Sequence, residues 1–232
     1  MLFSGGVDSS LVAKAIAEKI PDTLCFVVGL KNSKDVGFAE KAAMELKLNL
    51  KKIIIMESDV PAYIEKTSKV IGTADSLQLQ IGVPEFIALE AVQKEGFKFV
   101  FSGQGADELF CGYHEFRKIL GEKGFDGVEK EILKKLDEMP KRNLARENAL
   151  YNHFGLVAKY PLMEKKFIEI SLKIPAKEKI LSENDLLRKR IFRKFAEKNG
   201  IFPEICNRKK TAIQYGSGLS NEIKKILKKS AK

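Results

Sequence analysis

Short apolar runs alternate with segments of helical period through the first 112 residues, and this alternation confines the chain to a sheet whose strands are joined by helices. Leu2 and Phe3 end a strand, and residues 7–19 carry Leu11, Ala15 and Ile16 at helical spacing. Residues 23–30 form an apolar run of strand length, 35–47 return to helical period, and 50–56 are apolar again. A helix is predicted over 84–94 and a strand over 98–102. Strands separated by helices cannot pair as hairpins, so the expected fold is α/β, a doubly wound parallel sheet with helices on both faces. Ligands in such sheets lie beyond the carboxyl ends of the strands, which puts Ser4, Gly29 and Ser102 along one rim. After about Gly112 strand signals end. Helical patterns at 128–138, 143–154, 165–174, 185–198 and 220–229 predict a helical part, 113–232, that shares the interior of the 1–112 nucleotide-binding core.

Ser4-Gly5-Gly6-Val7-Asp8-Ser9-Ser10 spans a strand end and a helix start, where unpaired N–H groups and the helix dipole favour an anion. Gly5 and Gly6 let the backbone approach oxygen atoms, and the hydroxyls of Ser4, Ser9 and Ser10 add donors. No Gly-Lys-Ser/Thr follows, so this is not the P-loop that grips terminal phosphates. Asp8 beside a phosphate would repel it unless a divalent cation bridged the two, which implies magnesium. The bland alternative is a glycine turn with a serine cap. A second motif, Ser102-Gly103-Gln104-Gly105-Ala106-Asp107-Glu108-Leu109-Phe110-Cys111-Gly112-Tyr113, again follows a strand and opens a helix, so Asp107 can share one metal with Asp8.

SGGVDSS in this setting resembles the signature of the PP-loop ATP pyrophosphatases, and the second motif resembles that of the synthetase domain of asparagine synthetases and their relatives, β-lactam synthetases included. The likeness extends over nearly the whole chain: Val28-Gly29-Leu30 with Asp35, Arg146 and Asn148 before Gly155, Lys159-Tyr160-Pro161-Leu162-Met163-Glu164, and Arg208-Lys209-Lys210. The resemblance implies that Asp8 and Asp107 hold magnesium and that Ser4, Gly5, Gly6 and Ser9 hold the pyrophosphate of ATP. It puts Leu2 and Val28 on the nucleotide side, Ser102 and Gly103 by the AMP, and Lys210 where charge builds on the phosphates. Asp107 and Gln104 complete the catalytic set, and Tyr113 and Lys118 are candidates for the substrate end. Three departures stand out. Gln104 replaces a Glu of several relatives, so a carboxylate is missing there. Lys159 and Glu164 replace Arg and Asp. Only Met1, Leu2 and Phe3 stand before Ser4, where glutamine-using relatives carry a glutaminase domain, so ammonia is expected from elsewhere.

The implied reaction is adenylation of a carboxylate, the side chain of aspartate, followed by displacement of AMP by ammonia that arrives free or from a separate glutaminase subunit. A ligase or cyclase acting on another acid, a tRNA-modifying PP-loop enzyme and a non-catalytic nucleotide-binding module stay open as alternatives. The formal charge of +10 bears on the second of these. Residues 173–232 carry 17 Lys and Arg against 6 Asp and Glu, which leaves the rest of the chain near neutrality. With Leu187, Ile191 and Phe195 on one helix face and Arg188, Lys189 and Lys194 largely elsewhere, the basic excess reads as solvated surface before it reads as a nucleic-acid contact. Cys25, Cys111 and Cys206 are too scattered for a metal or redox motif and read as packing residues. No apolar stretch is long enough to span a membrane, so the expectation is a cytoplasmic protein, alone or as a homodimer.

Overall fold

The computed structural model describes residues 1–31, 33–139, 145–209 and 217–230. Its strands are β1 (Leu24–Leu30), β2 (Asn49–Ile55), β3 (Phe99–Phe101) and β4 (Val157–Lys159). In chain order the helices are α1 (Val7–Ala17), α2 (Lys34–Glu45), α3 (Val60–Ile71), α4 (Ser76–Lys94), α5 (Ala106–Leu109), α6 (Glu115–Met139) and α7 (Ala145–His153). They continue as α8 (Lys165–Leu172), α9 (Ala176–Lys179), α10 (Arg190–Lys198), α11 (Pro203–Cys206) and α12 (Leu219–Ser230).

The sheet grows from β1, which pairs in parallel with β2 so that Leu24 faces Asn49 and Leu30 faces Ile55. Along the other edge of β1 lie residues 1–3: Phe26 N–H donates to the Met1 carbonyl at 2.8 Å, and Phe3 N–H to the Phe26 carbonyl at 2.9 Å. Leu2 N–H reaches the Phe101 carbonyl at 3.0 Å, which joins β3, and β3 pairs in parallel with β4. The row therefore runs β2, β1, residues 1–3, β3, β4. Chain leaving residue 3 turns toward β1 and chain leaving β3 turns toward β4. The two connections part and open a crevice at the strand ends, which is the topological switch point of a doubly wound sheet.

Side-chain alternation on β1 sorts the helices onto two faces. Cys25 and Val27 pack with α1, α2, α10 and α11, while Phe26 and Val28 pack with α3, α4, α7 and α12. Both faces of β1 are thus covered, which is why its sequence is a continuous apolar run. Ser33 Oγ caps α2 by accepting from Val36 N–H at 3.2 Å, and Asp75 caps α4 by accepting from Gln78 N–H at 2.9 Å. The three cysteines are buried thiols, as packing residues should be. Among the described residues no helix is long and apolar enough to cross a membrane.

Several expectations are corrected. A strand does follow Gly112: β4 has three residues, of which Val157 and Lys159 are exposed, so it carries no hydrophobic pattern. Helix α4 begins eight residues before Pro84, which lies inside it rather than at its start. A helix tolerates the missing N–H there at the cost of one ladder bond. Helix α3, unassigned from sequence, has proline in its first turn and left-handed Gly72 (φ 69°) at its end. Helix α10 starts at Arg190, not Asp185, and its buried side is Phe192, Arg193 and Ala196, whereas Phe195 is 53% exposed.

Phe86 on α4 meets Phe154 edge to face with ring centroids 4.8 Å apart, and Tyr63 at 6.2 Å, so it ties α3, α4 and α7 to the sheet. Phe86→Ala should cost about 3–5 kcal/mol. Urea titration followed by circular dichroism checks this, with a lowered midpoint and an unchanged slope expected.

Candidate active site

The crevice at the switch point is a cavity of about 520 Å3, of the size that takes a nucleotide and a small substrate. Its floor is the loop from Ser4 to Ser9. Ser4 Oγ and Ser9 Oγ lie 3.1 Å apart, Ser4 N–H donates to Ser9 Oγ at 3.2 Å, and Ser9 Oγ–H donates to the Gly6 carbonyl at 3.2 Å. These bonds shape the loop so that Gly6, the N-cap residue of α1, fronts the cavity with Val7 and Asp8. Gly5 serves packing instead. A Cβ there would lie 2.8 Å from Ala39 Cα on α2, so only glycine lets the loop seat this deeply.

From the other side comes the loop after β3. Ser102 Oγ accepts from Gln104 N–H at 3.1 Å, and Gly103 packs so closely on the first loop that a Cβ would stand 3.1 Å from Asp8 C and Ser9 N. Leu2, Val28, Pro84 and Ala88 supply an apolar wall. Asp8 lies in the first turn of α1 and Asp107 in the first turn of α5. They converge on a cation that the chain itself supplies. Lys189 Nζ sits 2.5 Å from Asp8 Oδ2 and 2.7 Å from Asp107 Oδ1, and the lysine is 1% exposed. Burial holds its pKa below the usual lysine range, with Asp8 opposing that shift.

Sequence reasoning missed Lys189 because it assigned 185–198 to one amphipathic helix with this residue off the apolar face. In the fold, residues 185–189 precede the helix. Asp185 Oδ1 accepts from Leu187 N–H at 3.1 Å and Arg188 N–H at 2.9 Å, and Arg188 and Lys189 both take left-handed backbone with φ 52°. Buried Arg193 then clamps the turn, donating to the carbonyls of Leu187 and Arg188 at 2.8 Å each and to the carbonyls of Cys206 and Arg208. Asp185 followed by two leucines was the available signal, since a turn-forming Asp competes with helix.

Arg208 lies on the Phe38 ring at 3.8 Å, pairs with Asp35 at 2.7 Å and donates to the Ser4 carbonyl at 3.3 Å, so it anchors the chain beside the phosphate-side loop. Burial raises the Asp35 pKa against the pull of Arg208. Lys209 also lines the cavity. Lys210, the catalytic lysine implied by the resemblance, lies outside the described residues.

At the opposite end a carboxylate from another element lies against Gln104. Gln104 Nε2–H donates at 2.9 Å to Glu147 Oε1 on α7, and Tyr160 O–H donates at 2.6 Å to Glu147 Oε2. Arg146 stands between Glu147 and Glu85 at 3.6 Å from each, and donates to Gln78 at 2.9 Å. Tyr113 O–H donates to Glu108 at 2.5 Å and faces the cavity. Lys118 does not reach the cavity: its side chain is 74% exposed beside Glu122.

Burial, with Glu147 adding to it, pushes Glu85 up to about 8, and burial also raises Glu147. Burial and the neighbouring like charge therefore favour the protonated form of Glu85. The folded state then binds more protons than the unfolded chain between the ordinary glutamate pKa and about 8, so stability falls as pH rises through that window. Glu85→Gln should flatten this loss. Urea unfolding at pH 5 and pH 8 checks it: the variant gains on the wild type at pH 8.

Comparison with known proteins identifies the family. The asparagine synthase family model matches residues 1–126 and 121–232. A relative from Methanocaldococcus jannaschii, described as a glutamine-hydrolyzing asparagine synthetase, is 34% identical over 99% of this chain and 47% of its own length. Asparagine synthetase 2 of Lotus japonicus is 29% identical over 94% of this chain and 39% of its own length. The chain thus spans half or less of these relatives. A solved structure from Methanocaldococcus jannaschii, described as a subunit of tRNA methyltransferase, is 18% identical, covering 90% of this chain and 92% of its own with a TM-score of 0.40. With both motif loops at the switch point and the family match running from end to end, the chain belongs to the asparagine synthase family.

Proposed function

We propose that this chain is the synthetase unit of an ATP-dependent amide-forming ligase, which adenylates a carboxylate, the side chain of aspartate, and passes the acyl group to ammonia. The observation that carries the reading is the meeting of Asp8 and Asp107 at one cation. Both carboxylates reach a single atom, so they fit a magnesium ion that takes one or two protein carboxylates and completes its shell with phosphate and water. Bound there, magnesium would neutralise charge on the α- and β-phosphates and on the departing pyrophosphate.

The chain's own groups do the rest. N–H groups at the start of α1, with the Ser4 and Ser9 hydroxyls, cradle the pyrophosphate. Leu2, Val28, Pro84 and Ala88 enclose the adenine side, while Ser102 and Gly103 border the AMP. Arg208 and Lys209 bring positive charge to the same rim, and Lys210 follows them in sequence as the group that meets charge developing on the phosphates. The acid lies toward Gln104, Glu147 and Arg146. Its carboxylate oxygen attacks the α-phosphorus, the bond to the β-phosphate oxygen breaks, and pyrophosphate leaves. Ammonia, free or delivered by a glutaminase unit, then attacks the acyl carbon, AMP departs with its oxygen, and the surplus proton passes to solvent or to a nearby base. A second reading, a related ligase acting on another acid, is favoured by the Gln104–Glu147–Tyr160 arrangement, since the carboxylate comes from α7 rather than from position 104.

Pyrophosphate release from ATP, measured across candidate acids with ammonium or glutamine at millimolar magnesium, tests the reading. Release that depends on aspartate and ammonium is expected, and dependence on a different acid would select the second reading. Asp107→Asn should lower release by about 100-fold or more while the circular dichroism spectrum stays that of the wild type. No release with any acid would refute the proposal.

A further inference from the structure

The position shared by Asp8 and Asp107 is already filled by a side chain of the protein. Lys189 Nζ lies 2.5 Å and 2.7 Å from the two carboxylate oxygens, and its side chain is 2% exposed. A magnesium ion on the same oxygens sits at about 2.0–2.1 Å from each, so ammonium and metal claim one volume. Cations that close repel strongly in a partly buried crevice unless anionic oxygens come between them.

The surroundings are shaped for the lysine. Its backbone is fixed by the Asp185 turn and by the Arg193 clamp on the Leu187 and Arg188 carbonyls. Where the stem passes α5, the chain has Gly112: a Cβ there would stand 2.2 Å from Lys189 Cε and 1.8 Å from Asp107 Oδ1. Asp8 and Asp107 come from separate stretches of chain and meet one ammonium, while Asp185 and Arg193, from its own stretch, fix the backbone that presents it. Lys189 also lines the same cavity as Ser4, Gly6 and Asp8, so its ammonium borders the space that the proposed function gives to phosphate oxygens.

We propose that Lys189 is a positioning residue that holds Asp8 and Asp107 together and excludes a divalent ion arriving without nucleotide. The proposal rests on the reading of Asp8 and Asp107 as metal ligands. Metal and nucleotide then enter together: the polyphosphate supplies the negative charge that lets both cations stay, with the metal on the carboxylates and the ammonium on phosphate.

Electron spin resonance of Mn2+ tests this with the wild-type chain, Lys189→Met, and Lys189→Gln, whose amide can still donate to a carboxylate and so keeps the pocket folded. Wild type should bind Mn2+ weakly alone and well with α,β-methylene ATP, which cannot be cleaved between the α and β phosphates. Both variants should bind Mn2+ alone at least about tenfold more tightly than wild type does, and Mn2+ should raise their melting temperatures but not that of the wild type. Adding Asp107→Asn to Lys189→Gln should abolish the gain. The proposal is overturned if wild type binds Mn2+ equally well with and without nucleotide, or if neither variant gains affinity while nucleotide-supported binding is normal; the ligase reading survives both results. Absence of Mn2+ binding in every chain, nucleotide present or not, removes the metal site and with it both proposals.

Discussion

Two carboxylates and one ammonium, Asp8, Asp107 and Lys189, set the terms for the rest of this protein. Asp8 and Asp107 enter the crevice from different strand ends, and bringing two negative charges so close is unfavourable without a cation between them. The 3D arrangement that supplies it joins residue 8 to residue 189, and so joins the first turn of the sheet to the helical part of the chain. A buried pair of this kind adds little net stability over apolar packing, but loss of one member leaves an uncompensated charge. Its physical effect is to fix where the two loops sit relative to each other, which is what a phosphate-handling site requires.

The same logic accounts for part of the C-terminal basic excess. Lys179, Arg188, Lys189 and Arg193 are buried, and Arg208 is half-buried. Three of them act directly on the crevice. Lys189 neutralises the two aspartates, Arg193 holds the turn that presents Lys189, and Arg208 ties Asp35 and the Ser4 carbonyl together. The N-terminal strand ends supply acids and backbone donors, and the C-terminal segments supply the matching cations. A basic stretch of this kind need not signal a polyanion at the surface, because part of it answers charge inside the same chain.

What could be read in the sequence follows from what each element needs locally. The loop at Ser4 and the loop at Ser102 announce themselves because close packing demands glycine and anion binding demands donors, and both loops lie at the crevice. Strand β1 was legible because both its faces are buried. β4 was not, because an exposed strand of three residues has no alternation to detect. Lys189 escaped for a different reason: its partners are 181 and 82 positions away, and helical period cannot see a turn that Asp185 and Arg193 hold through bonds to the backbone. Glu147 was hidden in the same way, since its role depends on Gln104 from another loop.

That last pairing divides the crevice into two electrostatic ends. Beside the phosphate-side loop, Arg208 and Lys209 accompany backbone donors, a setting that strengthens with each negative charge brought in. Around Glu85 and Glu147 the balance is opposite: burial favours the protonated carboxyl, and Tyr160 and Gln104 aim their hydrogens at what remains ionised. An end where Glu85 keeps its proton admits a further carboxylate at lower electrostatic cost than two ionised glutamates would, and Arg146 stands between Glu85 and Glu147 as a fixed positive charge. Under the proposed function, polyphosphate and carboxylic acid would be drawn to different ends of one cavity, and the acyl oxygen would face the α-phosphorus at the boundary, where Gly103 brings the two loops into contact.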